Sequence, residues 1–598
     1  MLTLSLYLSR DFRLINKRKE SYRIKESNKE SNKLTQRWQN ELLFSDSQIS
    51  LAMLATLVGL FSALVISAFR LLIDLPFDLS FLGAAHSEDF ESISPEIRAI
   101  LLLIGGVILI AVFSALKPSD RQTGVGHVLL RMEKHQGELP FTNLAVQFWG
   151  TITALISGFS VGREGPAVHI GAGTASQFGQ WFNMPHHRLR VLVGCGVASA
   201  ISASFNTPIA GVIFAMEVVL VEYSIKSFIP VILASVTGAI VSRTFFGNAP
   251  AFIVPQLDMG SLLEIPYVLL VGIVTGVLAA TFILSMRRLK VLKEKPLWMT
   301  WGALMLMTIA ISFFFPEVLG VGYDSVNLWL QGSGLLFIAV ILIFTKLFLA
   351  SWATATGFPG GLIGPSLFIG ASAGYVMGLM SQTFMPEYPV SPGFYAMLGM
   401  GAMMAAVLNA PLAALMTLLE LTANPNIILP GMLAIVVANL TVTEVFKLPS
   451  IFHVQTKLQM GVNPVRHMLT NTWIGKVMRR EFIVTDEVIH PSSARLFLEQ
   501  KHNWVFLPDA ETMVPLVDLA NYMNQNPDIE EINLLDIPAD RQSFRYINMQ
   551  ANLHEALELM DQHHVEWLAV VPTNRPDQIS GMISRTMIEK YYQYSPTL

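Results

Sequence analysis

Charge and cysteine are both scarce in this chain of 598 residues. Only 14% of the residues are Asp, Glu, Lys or Arg, whereas a soluble globular protein carries about 25%. The deficit is uneven, because charge concentrates in residues 1–48 and 456–598. The single cysteine, Cys195, excludes an intramolecular disulfide and a cysteine-cluster metal site. The chain also lacks a His-Glu-x-x-His motif, so a membrane-embedded enzyme is a remote alternative and no enzyme activity or metal centre is expected.

Between these charged ends, long apolar segments alternate with short breaks rich in Gly, Pro and polar residues. Several are close to the roughly 20 residues that a helix needs to cross a bilayer core. The sequence therefore predicts a polytopic α-helical membrane protein. Segments 165–178, 194–205 and 411–423 are too short or too interrupted to span alone, which predicts broken helices facing protein or a wet cavity. The segments of near-spanning length are 50–69, 99–116, 227–241, 266–286, 298–315 and 335–350.

Basic residues are concentrated just before the first apolar segment, with ten Lys and Arg between residues 10 and 37. The positive-inside rule predicts that residues 1–48 form a cytoplasmic segment. These cations are interleaved with polar and acidic residues, so nucleic-acid binding is not expected. The first long apolar run starts only near Leu51, which does not fit a signal peptide. We expect a multi-pass protein of the plasma or inner membrane with both termini cytoplasmic.

The membrane part contains an internal repeat. Residues 165–172 match residues 364–371, 199 positions later, and residues 206–210 match residues 409–413, 203 positions later. In both copies of the second block a glutamate follows the proline by nine residues. These glutamates, Glu217 and Glu420, occupy equivalent places and are expected to accept hydrogen bonds from helix-end amides. Repeats of this kind build transport folds whose site lies where the two copies meet.

Each copy also has a Gly-rich turn that leads into an apolar helix, at residues 162–166 and 357–361. Helix N-termini carry unpaired N–H groups and a partial positive charge, so they attract anions. Two such turns meeting at one point would form an anion site without a formally charged cation. Within the first turn stands Glu164, and an ionisable side chain at such a depth is a functional-site hypothesis by default.

These motifs resemble the CLC chloride channel and transporter family. The resemblance rests on Gly162-Arg163-Glu164-Gly165-Pro166, on residues 360–365 and on the two Asn-x-Pro blocks, and it covers about residues 50–455. It implies a homodimer in a lipid membrane, with one pathway for chloride or another small anion in each subunit and inverted halves at about 49–250 and 260–455. It also implies that Glu164 is the gate, which mimics the ion as a carboxylate and swings away when protonated. The implied filter residues are Gly124, Val125, Gly126, Gly162, Arg163, Glu164, Gly165, Pro166, Gly360, Gly361, Leu362, Ile363 and Phe452.

Two filter positions depart from the family pattern. Val125 stands where the family usually has a serine, and Phe452 stands where it usually has a tyrosine. Neither side chain can donate a hydrogen bond, so ion coordination at the centre would fall on backbone amides. We therefore expect weaker or less selective chloride binding at the centre of the pathway.

A third departure concerns protons. Exchangers of the family usually carry an inner proton-relay glutamate, and Val218 occupies that position here. Channel-like or weakly proton-coupled anion conduction gated by Glu164 is accordingly the favoured function. The alternative is chloride/proton antiport along an unconventional inner path, with Glu222 or His127 as stand-ins.

The C-terminal part differs in composition, with only two glycines in residues 471–598. Strands are predicted at 505–507 and 567–571 and an amphipathic helix at 553–563. This α/β pattern resembles a pair of CBS domains, a degenerate one at 474–524 and a clearer one at 534–592, after a linker at 456–473. Asp518 and Ser584 fall at positions that contact adenine nucleotide in such pairs. Neither copy has the full set, so a structural role is favoured over nucleotide binding and no other cofactor is expected. A membrane sensor based on this pair is a remote alternative.

Overall fold

The computed structural model consists of two compact units, Met1–Leu54 and Ala55–Leu598, and the features below belong to the second unless a helix spans both. The predicted basic segment 1–48 lies outside the described residues except for Gln48, as does most of the predicted linker. The structure describes residues 48–78, 89–221, 224–248, 252, 254, 261–384, 390–456, 468–470, 472–500, 502–527, 529–572 and 578–594.

Helices build the whole of the described membrane part. They are α1 (Gln48–Asp78), α2 (Pro95–Ala115), α3 (Gly124–Lys134), α4 (Phe141–Ile156), α5 (Glu164–Trp181), α6 (His186–Phe205), α7 (Pro208–Phe214), α8 (Ile225–Phe246), α9 (Ile265–Leu289), α10 (Leu297–Ser312), α11 (Tyr323–Leu330), α12 (Leu336–Thr356), α13 (Ile363–Phe384), α14 (Pro392–Leu408), α15 (Pro411–Thr422), α16 (Ile428–Leu440) and α17 (Ile451–Thr456). Single π-helical turns extend α7 over Ala215–Leu220 and α16 over Thr441–Val445.

Eight helical stretches in the described residues are long and apolar enough to cross a membrane, which confirms the multi-pass prediction. Two length predictions are wrong. Segment 194–205 belongs to α6, which has 20 residues and qualifies as a span because its start, although rich in His and Arg, is also helical. Segment 298–315 forms α10, which has only 16 residues and ends at Ser312. The eight stretches are Gln48–Phe77, Pro95–Ala115, His186–Phe205, Ile225–Phe246, Leu262–Glu294, Leu336–Thr356, Ile363–Phe384 and Pro425–Val445.

The Asn-x-Pro blocks join consecutive helices at equivalent places in the two repeats. Asn206 ends α6 with φ 60° and Asn409 ends α14 with φ 55°, both left-handed. Asparagine tolerates this conformation better than most residues. The prolines that follow, Pro208 and Pro411, occupy the first turns of α7 and α15, where a missing N–H costs nothing. Each Asn-x-Pro block therefore forms a sharp turn between two helices, and the protein contains this turn once in each repeat.

Glu217 and Glu420 accept helix-end amides, as predicted, and each does so across the repeat boundary. The Glu420 carboxylate accepts a 2.7 Å hydrogen bond from the amide of Ala210, at the start of α7. The Glu217 carboxylate accepts an equivalent 2.7 Å hydrogen bond from the amide of Ala413, at the start of α15. In both cases the second oxygen accepts from the preceding amide, at 3.0 and 3.3 Å. Each repeat thus caps a helix of the other.

The C-terminal part is an α/β unit, which confirms this part of the predicted fold class. Its six-stranded sheet has the order β1-β3-β4-β6-β7-β8, and the antiparallel pair β4–β6 joins the two halves. A separate antiparallel pair links β2 to β5. The strands are β1 (Ile483–Val484), β2 (Val488–Ile489), β3 (Trp504–Leu507), β4 (Thr512–Pro515), β5 (Ile532–Asn533), β6 (Gln542–Asn548), β7 (Trp567–Val571) and β8 (Gly581–Ser584). The helices are α18 (Pro491–Glu499), α19 (Leu516–Gln525), α20 (Leu553–His563) and α21 (Arg585–Tyr594). This sheet is consistent with a CBS pair, whereas the exact domain bounds stay a prediction.

His186, the first residue of α6, holds the C-terminal unit against the membrane part. Its Nδ1 lies 2.9 Å from Glu555 Oε1 on α20, and its Nε2 lies 3.6 Å from Glu138 Oε1 in the loop before α4. The backbone amide of His186 also donates to the carbonyl of Gln550 at 3.1 Å. The hydrogen bond from His186 is the main cause that lowers the pKa of Glu138. A single imidazole between two carboxylates thus ties α20 to the membrane helices.

Replacing His186 with Ala removes both carboxylate contacts, so we expect α20 to detach more often. The backbone amides of residues 550–556 should exchange hydrogen about tenfold faster, which is the effect of losing a charged hydrogen bond that is partly screened by solvent. Because the pKa of Glu138 is lowered, its stabilising contribution is present above its ordinary value of 4.5 and is lost as the pH falls further. His563→Ala, at the exposed end of α20, is the matched control. Unchanged exchange in His186→Ala would contradict this role.

Candidate functional site

The two Gly-rich turns meet at a single backbone bridge, as the sequence predicted. The amide of Gly162 donates to the carbonyl of Gly361 at 2.8 Å, and the amide of Gly361 donates to the carbonyl of Gly162 at 2.7 Å. These residues are 199 positions apart, which is the offset between the repeats. Equivalent residues of the two halves therefore pair with each other. This pairing brings the N-termini of α5 and α13 together.

Glycine is required at this bridge because no side chain fits. A Cβ atom on Gly361 would lie 2.8 Å from the Gly165 nitrogen and 2.9 Å from the Gly162 oxygen. A Cβ atom on Gly162 would lie 2.6 Å from Oε2 of Glu164. The first clash is with backbone, which cannot give way cheaply. The glycines bring two backbones together and leave room for one carboxylate.

The Glu164 carboxylate is buried at this junction, with only 1% of the residue exposed. Its Oε2 accepts a 3.1 Å hydrogen bond from the amide of Gly364, in the first turn of α13. Its Oε1 accepts a short hydrogen bond from the hydroxyl of Tyr323 and lies 3.9 Å from Nε of Arg163. The carboxylate thus occupies a position that helix termini make favourable for an anion.

Two of these partners were not predicted. The amide that contacts Glu164 belongs to Gly364, whereas anion binding by Leu362 and Ile363 stays a prediction. Leu362 and Ile363 are buried at the start of α13. Tyr323 begins α11, and its ring lies 5.4 Å from the guanidinium carbon of Arg163. No motif marks Tyr323, which stands 159 positions from Glu164 in sequence.

The loop that leads into α3 ends at the implied filter residues Gly124, Val125 and Gly126 and is called the first filter loop. Amide side chains of α4 hold it in place. The amide of Gly124, which has φ +80°, donates to Oε1 of Gln147 at 2.6 Å. Asn143 Nδ2 donates to the carbonyls of Ser119 and Gln122 at 2.9 and 3.0 Å. These contacts fix the loop where α3 begins. The sequence offered no reason to choose these two side chains over other polar residues of the membrane part.

The positions that depart from the family pattern are buried near the loop. Val125 is 3% exposed, and its Cγ2 lies 3.9 Å from the place where a Cβ of Gly165 would stand. Phe452 is 2% exposed on α17, which packs against α3. Val218 is buried in the π-helical turn after α7, and this turn also contacts α3. The proposed stand-in Glu222 lies outside the described residues.

A cavity of about 570 Å3 reaches both filter loops from one side. Gly126 and His127 line it from the start of α3. Thr356 and Gly357 line it from the second repeat. Gln455, which leads toward the C-terminal unit, also lines it. Its cationic lining residues are Arg121, Lys290 and Lys293. The cavity therefore has a basic lining, which attracts small anions.

Next to the filter, two histidines form a buried pair. Nδ1 of His127, on α3, lies 2.9 Å from Nε2 of His169, on α5. The sequence singled out His127 because it follows the filter loop. His169 was not singled out, since nothing in sequence links two histidines 42 positions apart.

The two candidate nucleotide residues are occupied by contacts within the C-terminal unit. Asp518 Oδ2 accepts a 3.0 Å hydrogen bond from the amide of Asp540. Ser584 Oγ lies 2.9 Å from Oγ1 of Thr586 and accepts from the amide of Met587 at 3.3 Å. Nucleotide binding by Asp518 and Ser584 stays a prediction.

One segment of α13, residues 370–374, matches the Gly-x-Ser-x-Gly pattern of serine hydrolases. Its serine, Ser372, is buried within the helix and donates to the carbonyl of Phe368 at 2.8 Å. A nucleophilic serine of that class sits instead on an exposed strand-to-helix turn. The glycines here serve close packing, since a Cβ on Gly370 would lie 2.3 Å from the Gly399 carbonyl oxygen of α14.

The family model for the voltage gated chloride channel matches residues 103–443, which is more than half of the chain. This chain belongs to that family, the CLC family. The H(+)/Cl(-) exchange transporter ClcA of Vibrio cholerae is 27% identical over 411 residues, which are 65% of this chain and 86% of ClcA. The resemblance noted in the sequence is thereby confirmed for the family.

Two solved CLC structures share the fold. A slow cyanobacterial Cl-/H+ antiporter matches with a TM-score of 0.60 and 22% identity, covering 68% of this chain and 97% of that chain. A eukaryotic CLC transporter matches with a TM-score of 0.58 and 19% identity, covering 90% of this chain and 97% of that chain. The second match extends into the C-terminal unit. Both show that this protein has the CLC fold.

Replacing Gly361 with Ala should force the two turns apart. Overpacking of this kind lowers the free energy of unfolding by about 1–3 kcal/mol, and anion transport should fall because the N-termini of α5 and α13 no longer converge. Thermal unfolding and anion flux in proteoliposomes measure both effects. Gly302→Ala is the matched control, because a Cβ at Gly302 in α10 meets no atom within 4 Å and should be neutral or slightly stabilising. Equal behaviour of the two variants would contradict this account of the bridge.

Proposed function

We propose that this CLC protein exchanges chloride, or a similar small anion, for protons across a membrane, with Glu164 as both gate and proton acceptor. The observation that supports this most is the buried Glu164 carboxylate, held where the N-termini of two helices meet. The exchange activity named for ClcA of Vibrio cholerae supports the coupling to protons.

The geometry suggests how one group can serve both ions. As a carboxylate, Glu164 satisfies the amide of Gly364 and the hydroxyl of Tyr323, so it competes directly with an anion for that position. Protonation removes its charge and with it most of the attraction to the helix termini. The neutral side chain then leaves, and an anion takes its place. Deprotonation restores the competitor and expels the anion through the basic cavity, so anion and proton cross in opposite directions.

Channel-like or weakly coupled conduction is the second candidate, and one observation favours it. The position expected for the inner proton relay is Val218, a buried apolar residue. Valine cannot carry a proton, so a path through this position is closed to protons. A channel would carry anions down their gradient without driving protons, and this difference separates the two candidates.

We also propose that the protein works as a homodimer, with its C-terminal unit and both termini in the cytoplasm of a plasma or inner membrane. In this proposal the C-terminal unit is a regulatory CBS pair that acts through its contact with α6. Adenine nucleotide is the ligand to test at Asp518 and Ser584.

The deciding experiment records anion flux and pH together in proteoliposomes that contain the purified full-length protein. With an inward anion gradient and no initial pH gradient, antiport predicts that protons leave as anions enter, so that a pH gradient builds up. Glu164→Gln should abolish this proton movement and retain anion flux, because an amide cannot be protonated near neutral pH. Anion flux without any proton movement in the wild type would leave the channel candidate. Full coupling in Glu164→Gln would remove Glu164 from the proton path.

Replacing Tyr323 with Phe should loosen the gate. Hydrogen bonds to charged groups contribute about 1.5–3 kcal/mol, so losing the Tyr323 donor should speed displacement of the Glu164 carboxylate and raise anion turnover about tenfold. Tyr375→Phe is the control, since it removes another buried tyrosine hydroxyl, one that donates to the Gly334 carbonyl at 2.8 Å. Unchanged turnover in Tyr323→Phe would show that Tyr323 does not restrain the gate.

A further inference from the structure

The buried histidine pair has the form of a proton-transfer element. His127 is 6% exposed and His169 is fully buried, and Nδ1 of one ring lies 2.9 Å from Nε2 of the other. In a neutral pair one nitrogen carries the shared proton and the other accepts it. Two tautomeric arrangements satisfy the same contact, and they differ in which ring holds the proton.

Packing alone does not account for this pair. Nδ1 of His169 is buried and has no hydrogen-bond partner among the described residues. An unsatisfied buried polar atom costs about 1–3 kcal/mol, and an apolar side chain at this position would avoid that cost. Such atoms in native structures call for an explanation, and a catalytic or transfer role is one of them.

The pair also connects the cavity with the helix that carries Glu164. His127 lines the basic cavity beside the first filter loop. His169 follows Glu164 on α5 by five residues, a rise of about 7.5 Å along the helix axis. One or two hydrogen-bonded waters span a distance of that order. Helix α3, which carries His127, contacts the turn that holds Val218, so the pair adjoins the position where a relay glutamate is missing.

We propose that His127 and His169 carry protons between the cavity and Glu164 and so replace the missing inner glutamate. This inference rests on the proposed antiport. A proton from cavity water binds Nε2 of His127, and the Nδ1 proton of His127 passes to Nε2 of His169. The proton on Nδ1 of His169 then leaves for the Glu164 carboxylate. Only N–H and O–H bonds form and break, and the reverse tautomeric shift restores the pair.

The charges around the pair favour passing a proton on over keeping either imidazole protonated. Arg131 and His135 face His127 from its own helix, and Arg121, Lys290 and Lys293 line the adjoining cavity. From α5, the charged group nearest in sequence is the Glu164 carboxylate. A lasting imidazolium is disfavoured among these cations. An anion that leaves the filter through the cavity offsets their field, so its departure promotes proton entry and the two ions move in opposite directions.

Two substitutions distinguish a role in proton transfer from a structural role. His127→Asn keeps a nitrogen near the Nδ1 position, and His169→Gln keeps one near the Nε2 position, but neither amide can carry a proton at neutral pH. In proteoliposomes of the full-length protein with a chloride gradient, we expect the number of protons moved per chloride to fall about tenfold or more in each variant. Chloride flux should persist, which also shows that the variants fold. His563→Gln, at the exposed end of α20 in the C-terminal unit, should keep the coupling of the wild type.

The outcomes distinguish this inference from the proposed function. A wild type that moves chloride without protons overturns both. A coupled wild type with equally coupled His127→Asn and His169→Gln overturns the histidine path and leaves antiport standing. Loss of chloride flux together with proton movement in both variants would show a structural role and also overturn it. If only one variant loses chloride flux, the proton-to-chloride ratio of the other decides.

Discussion

The convergence of two helix N-termini on one carboxylate is the constraint on which the rest of this structure depends. Two partially positive helix ends do not approach each other freely, and here they are brought together by a backbone bridge between Gly162 and Gly361. The Glu164 carboxylate offsets their charge in the closed arrangement. In the proposed mechanism, the group that stabilises the junction is the group that must leave before an anion can enter. An anion that replaces it restores the same balance, so exchange of one for the other costs little.

The repeat builds a fixed frame around that movable group. Glu217 and Glu420 each accept two backbone amides from the other repeat, so neither half completes its own helix ends. Glu164 is held by one amide, one hydroxyl and the nearby guanidinium of Arg163. A carboxylate bound to two backbone amides of a rigid turn is fixed by the main chain. Two of the partners of Glu164 are side chains, so the main chain restrains it less, which fits the displacement that we propose.

Sequence reasoning identified what is contiguous or repeated and missed what the fold brings together. The turn at 162–166, the Asn-x-Pro corners and the paired glutamates could be predicted because each is a short pattern that occurs twice or serves a known helix-end chemistry. Tyr323, Gln147 and His169 could not, since their roles come from contacts over 159, 23 and 42 positions. The span α6 was misjudged because its polar start hides a helix that is fully formed. For Tyr323, Gln147 and His169, a tertiary contact decides a role that local composition does not show.

The presence of Val218 at the position of the inner glutamate has a physical explanation if protons travel through imidazoles. A carboxylate near the inner entrance carries a negative charge that repels the transported anion. It also competes with that anion for the same cations. A neutral histidine pair carries no charge at rest, so the field of Arg121, Lys290 and Lys293 remains available to the anion. The cost is that each proton passes through an unfavourable imidazolium, which slows proton entry when no anion is present. Coupling then arises from the shared field of the cavity, without a second titratable carboxylate in the pathway.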